Sequence, residues 1–228
     1  QDVIFTSYGT GQAEFIGYES LTGFTEESTN LWFADVTGKT VYHVLINEDL
    51  QTNARIPKVT SDFDMGGNYF NVTSTPNTST IICSDLIGSP DLVGANCYVK
   101  GYPEYLQKVT IQSFNPGTGQ IGLSSPVATL TSDDIFFINN HKNLVTNNGD
   151  WHYDQVNDRI YIYSSTGQPS NVNIITKSDR VFSLVGTSGY TFDNVKFSGL
   201  YQGAIYFEEG GDYTVKNSTF KNIYENSI

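Results

Sequence analysis

Three carboxylates near the end of the chain, Asp179, Glu208 and Glu225, share their surroundings with one guanidinium, Arg180, and with Tyr201, Gln202, Tyr206 and Tyr224. Two carboxyls can divide acid and base (or nucleophile) work at an acetal carbon, about 5–5.5 Å apart for retention or 6.5–9.5 Å for inversion. Glu208 with Glu225 is the best pair on offer. The plain alternative is that Glu208, Glu209 and Asp212 form a solvated turn. Elimination chemistry would instead need a base, with Ca²⁺ or an arginine neutralising a carboxylate beside the scissile bond. Arg180 and Tyr206 fit that scheme loosely, and only under it is a calcium ion possible; no other cofactor and no metal is expected. His43, His141 and His152 read as structural residues.

A 23-residue register positions these groups. Tyr190-Thr-Phe-Asp-Asn-Val-Lys-Phe197 sets over Tyr213-Thr-Val-Lys-Asn-Ser-Thr-Phe220, and the match continues through Tyr201 over Tyr224 and Ile205 over Ile228. Asn171, Ile174 and Phe182 extend it one step back. A fixed period carried by short β-prone runs marks a solenoid whose every repeat is one coil. Alternation in Ala204–Glu208 sends Ile205 and Phe207 inward and Tyr206 and Glu208 outward. Equivalent positions on adjacent coils lie about 4.8 Å apart, so Asp179, Arg180, Gln202 and Glu225 should line one polar strip. Six positions along the coil separate Glu208 from Glu225 beyond the one-coil step, which makes that pair wide. Asn171, Asn194 and Asn217 share one register position, as expected of side chains that hydrogen-bond from bend to bend.

The chain has 228 residues and a formal net charge of -12, which disfavours nucleic acid and anionic membranes as partners. No apolar run is long enough to span a bilayer. Aromatics make up 14% of the residues, with 15 tyrosines, enough to supply rings for stacking on sugars as well as for sheet packing. Abundant Asn, Ser, Thr and Gly with little Lys suits an exported bacterial β-protein, periplasmic or extracellular. Cys83 and Cys97 are the only cysteines. They could face each other on neighbouring strands as a disulfide, the reading that export favours, or remain buried free thiols.

In chain order, residues 1–47 read as the first coil or coils. Residues 48–165 have irregularly spaced strands (Cys97–Lys100, Lys108–Gln112, Gln120–Leu123, Ile135–Ile138) and a hairpin through Arg159–Tyr163, and read as an inserted antiparallel β subdomain. Residues 166–228 carry the regular coils. The expected fold is all-β: a right-handed parallel β-helix of about 23-residue coils with that insert.

Three motifs carry a resemblance. Ser7-Tyr-Gly-Thr-Gly11 closing on Phe15-Ile-Gly17 resembles the first-coil motif of bacterial right-handed β-helix (pectin-lyase-like) carbohydrate-active proteins. Ala54-Arg-Ile-Pro57 is similar to their Ala-Arg-aromatic-Pro segment, with Ile56 for Trp. Gly149-Asp-Trp-His-Tyr-Asp154 with Ile160-Tyr-Ile-Tyr163 resembles their Gly-Glu-Trp-Tyr-Tyr-Asp segment, with Asp150 for Glu. The resemblance covers most of the chain and is shared by glycoside hydrolases and polysaccharide lyases. It implies a glycan-binding outer strip in which Tyr201, Gln202, Tyr206, Tyr224 and Arg180 meet substrate, and it implies that the chain is a fragment. A strand-rich cap would precede it, and further coils, or a second polypeptide capping the last coil, would follow. The expected activity is glycoside hydrolysis of plant or algal polysaccharide. The alternatives are lyase action on a uronate polymer and a non-catalytic glycan-binding or adhesion module.

Overall fold

The computed structural model describes residues 2–59, 68–102 and 105–224. The chain is all-β, most of its strand pairings are antiparallel, and it divides into two compact units. One takes its described residues from Gln1–Gly23, Gly38–Gln51 and Pro169–Ile228, the other from Phe24–Thr37 and Thr52–Gln168.

The first unit contains the parallel pairings. Val3–Thr6, Tyr190–Asp193 and Thr214–Lys216 stack in one sheet, and Ala13–Ile16, Val195–Leu200 and Thr219–Ile223 in a second. Phe182–Val185 pairs with Ile205–Glu208 in a third. Phe182 opposite Ile205, Thr191 opposite Thr214 and Phe197 opposite Phe220 are each one 23-residue step. In-register parallel pairing places like residues over one another, and the phenylalanines form columns. Phe5 stacks on Phe192 at 4.9 Å between centroids, and Phe197 lies between Phe15 at 5.0 Å and Phe220 at 5.2 Å. Phe182 meets Phe15 and Phe192 edge-on. Phe192 and Phe197 are fully buried, each worth about 1.5–3 kcal/mol relative to exposure.

Asn171, Asn194 and Asn217 share a left-handed backbone, with φ of 52°, 58° and 52°. Asparagine tolerates that region because its short amide can bond locally. The amides do not form the expected ladder from one asparagine to its repeat. Asn171 Nδ2 donates to Asn47 Oδ1, Asn194 Nδ2 to Ser7 Oγ, and Asn217 Nδ2 to Asp193 Oδ1. The shared need is the bend, and each amide takes whatever acceptor its own bend presents. Gly17 closes the first-coil motif for a steric reason, since a Cβ there would run into the Gly199 carbonyl and the Leu200 side chain.

Asn171 and Ile174 leave the stack. Val172–Ile175 lies antiparallel between Tyr18–Leu21 and His43–Ile46, and the two-residue hairpin Asn47–Glu48 leads on to Asp49–Leu50. A strand with both edges claimed in this way cannot also pair 23 residues on, so the regular register begins at Phe182.

The second unit has its own core. One sheet runs, in spatial order, Ser74–Asn77, Thr80–Ile82, Gln120–Leu123, Tyr105–Asn115, Asn96–Tyr102, Ile135–Asn139, Arg55–Ile56. It buries Ile81, Ile111, Ile121, Phe136 and Ile138. A second sheet joins Trp151–Asp154, Arg159–Tyr163, Leu31–Asp35 and Thr25–Ser28, so Leu31–Asp35 pairs with the hairpin rather than within a coil. Cys83 and Cys97 are buried free thiols, and no disulfide joins them. They do not lie on neighbouring strands: Cys83 follows Thr80–Ile82, Cys97 lies on Asn96–Tyr102, and two strands intervene in the sheet order.

Candidate functional site

Arg180, Tyr206 and Glu208 come together on the outer face of the Phe182–Val185 and Ile205–Glu208 pair. Strand alternation buries Ile205 and turns Tyr206 and Glu208 outward. The Arg180 guanidinium lies 4.2 Å from the Tyr206 ring centroid, a cation–π contact, and Tyr206 OH donates to Glu208 Oε2 at 2.8 Å. The hydrogen bond to Glu208, with that carboxylate's charge, pushes the Tyr206 pKa above its ordinary value. Tyr206 therefore stays protonated and acts as a donor, and Glu208 is held as an acceptor.

The other residues of the expected strip are placed less usefully. The parallel partner of Glu208 is Val185, 23 positions earlier, so that step supplies no second carboxyl. Asp179 is exposed and accepts a bond from Ser178 Oγ at 3.5 Å. Gln202 is half-buried in the bend after Val195–Leu200. Glu225 lies outside the described residues. Tyr201 and Tyr224 do stack across one 23-residue step, at 5.2 Å and 10°. Tyr201 cannot also be an open sugar platform, because Tyr42 stacks at 4.4 Å as a second ring partner. Tyr224 meets His43 at 4.2 Å and remains half exposed.

A second constellation was not visible in the sequence. Ser20, Asn47, Glu48, Asn171 and Asn173 line an open pocket of about 430 Å³ in the same unit. Ser20 Oγ donates to Asn173 Oδ1 at 3.0 Å, and Glu48 Oε2 accepts from Lys221 Nζ at 3.1 Å. The Lys221 contact holds the Glu48 carboxyl below the usual range. These residues come from three separated segments. The one local clue is the Asn47-Glu48 turn, where both residues are left-handed (φ 52° and 65°) and glycine is the usual second residue.

The histidines and the motif residues of the second unit serve structure. Trp151 is buried. Asp150 accepts from Lys58 Nζ and from the Thr146 and Asn147 amides. Arg55 stacks over Phe137 at 3.9 Å and donates to Pro57 O. His141 Nδ1 accepts from the Asn143 amide, capping the 3₁₀ turn Lys142–Leu144. Burial pushes the His152 pKa down to about 4, and its Nδ1 has no hydrogen-bond partner among the described residues. Among the described residues no group of three or more His, Cys, Asp or Glu side chains is placed to hold a metal ion.

No family model matches the chain, and no curated protein matches it. A solved structure named "Glycoside hydrolase" superposes with a TM-score of 0.62 at 16% identity, covering 87% of this chain and 38% of that one. The chain thus spans well under half the length of that structure, and at such identity the likeness is one of fold.

Proposed function

We propose that this chain is part of a secreted bacterial glycan-active protein, and that its chemistry is glycoside hydrolysis rather than β-elimination. On this reading the three parallel stacks are coils of a right-handed parallel β-helix, with antiparallel sheets inserted between the first coil and the rest. The name of the structural neighbour supports the glycan class. The observation that carries the choice of reaction is the Tyr206–Glu208 hydrogen bond. A tyrosine that must act as an eliminating base has to lose its proton, and this contact keeps the proton in place. The same contact orients the Glu208 carboxyl, and a hydrolase needs an oriented carboxyl as its nucleophile or base. The second carboxyl would come from Glu225 or from coils beyond this chain.

A second reading, a non-catalytic glycan-binding module, is supported by the Val185 opposite Glu208, which supplies no carboxyl on the preceding step. The test follows products from plant and algal polysaccharides. Hydrolysis releases reducing ends without the ultraviolet absorbance of an unsaturated uronate, and Glu208→Gln lowers the rate by about 10²-fold or more. Ultraviolet-absorbing products would overturn the hydrolase reading in favour of a lyase, and retention of glycan without products would favour the binder.

A further inference from the structure

We infer that the pocket lined by Ser20, Asn47, Glu48, Asn171 and Asn173 is a binding site for a neutral saccharide, sharing no lining residue with the Arg180–Tyr206–Glu208 strip. The identification of the ligand class rests on the glycan reading above; the site itself rests on its own geometry. The volume of about 430 Å³ falls in the range of small-molecule sites, roughly 300–1,000 Å³. Every residue lining it is of a polar type. Each internal contact uses one group of a side chain and leaves another for a ligand. Asn171 Nδ2 donates to Asn47 Oδ1, which leaves Asn47 Nδ2 as donor and Asn171 Oδ1 as acceptor. Ser20 Oγ donates to Asn173 Oδ1, which leaves Asn173 Nδ2 as donor and the serine lone pairs as acceptors. Glu48 Oε2 is taken by Lys221, which leaves Oε1 as a further acceptor.

Interleaved donors and acceptors match vicinal hydroxyls, each of which gives one hydrogen bond and accepts others. They match a phosphate or carboxylate poorly, because such anions only accept. Glu48 also places a carboxylate at the pocket, and the two lysines that act on it, Lys221 and Lys196, are already paired with Glu48 and Glu14. The hairpin backbone gives a further reason to look here. Glu48 holds φ of 65° where glycine would be unstrained, so its side chain is kept against a conformational cost. The wall is built on rigid elements, since Asn173 and Ser20 sit directly opposite each other on paired strands and Asn47 bonds Asn171 across the neighbouring pair.

The test is a glycan array carrying neutral β-glucan, xylan and galactan oligosaccharides alongside oligogalacturonate and oligoalginate, followed by titration calorimetry of any neutral hit. The wild-type chain, Ser20→Ala/Asn173→Ala and Glu208→Gln are compared, each checked by circular dichroism. The double substitution removes both partners of one hydrogen bond, so it leaves no orphaned group and should fold. Binding of a neutral oligosaccharide that weakens at least tenfold in the double variant and is unchanged in Glu208→Gln supports the site. Equal binding by the double variant, loss of binding in Glu208→Gln, binding of uronates alone, or no binding at all overturns it. If binding behaves as expected while no glycan is turned over, the hydrolase reading falls and this site stands.

Discussion

Removing the Phe197 side chain tests whether the aromatic columns hold the first unit together. Phe197 is fully buried, stacked face-on by Phe15 and Phe220 and approached by Phe182 and Phe192 at steep angles. Phe→Ala in a core costs about 3–5 kcal/mol, and aromatic pairs add roughly 0.5–1.5 kcal/mol each beyond area burial. With two faces stacked, Phe197→Ala should fall near the upper end, about 4–5 kcal/mol. Phe220, partly buried, stacks on Phe197 on one side, and Phe220→Ala should cost about half as much. The assay is urea denaturation followed by near-ultraviolet circular dichroism. At a slope of about 2–3 kcal/mol/M, a loss of 4–5 kcal/mol lowers the midpoint by roughly 2 M. Phe197→Leu, which refills most of the space, gives a milder reference should Phe197→Ala not fold. A loss below about 1.5 kcal/mol for Phe197→Ala, or equal costs at 197 and 220, would show that the column is not the core.

His152 should make stability fall with acid. Its folded pKa of about 4 lies below the ordinary 6.5, so the unfolded chain binds the proton first. The neutral-state stability is complete above about pH 6.5 and is lost as pH drops toward 4, by at most about 3 kcal/mol. His152→Phe should flatten that part of the profile in pH-dependent urea melts, and an unchanged slope would count against the burial of this ring. The thiols should be silent to an aromatic disulfide reagent in the native state, because burial raises the pKa of both. In denaturant without reductant two equivalents should react, and none would mean a disulfide. Asp150→Ala should cost about 3 kcal/mol, chiefly by stranding the Thr146 and Asn147 amides, while Lys58 keeps its bond to Leu144 O, read from thermal melts.

The period of the Phe197 and Phe220 columns was legible because parallel in-register pairing repeats the same residue at the same place. The strands of the second unit were legible for a local reason, since alternation and turn residues mark them whatever they pair with. Partner choice was not. Val172–Ile175 and Leu31–Asp35 have the same alternation as the parallel-paired strands, and only the three-dimensional competition for edges sends them into antiparallel sheets. Of the expected site, the outward placement of Tyr206 and Glu208 followed from period two. The engagement of Tyr201 by Tyr42 did not, nor did a pocket gathered from positions near 20, 47 and 172, because side chains from distant segments leave no spacing to read.

The pairing of Val3–Thr6 with Tyr190–Asp193 also sets an order of events at the ribosome. Ser7 and its partner Asn194 are 187 positions apart. At about 5–20 residues per second, some 10–40 s pass between the emergence of the first strands and that of their neighbours. The closure entropy of so long a loop has to be met before any column contact forms. The second unit, most of whose pairings lie within the intervening stretch, can close first and shorten the effective loop. Until then Phe5 and Phe15 wait on unpaired strands, and this interval is the window in which the nascent chain is most open to self-association or to a chaperone.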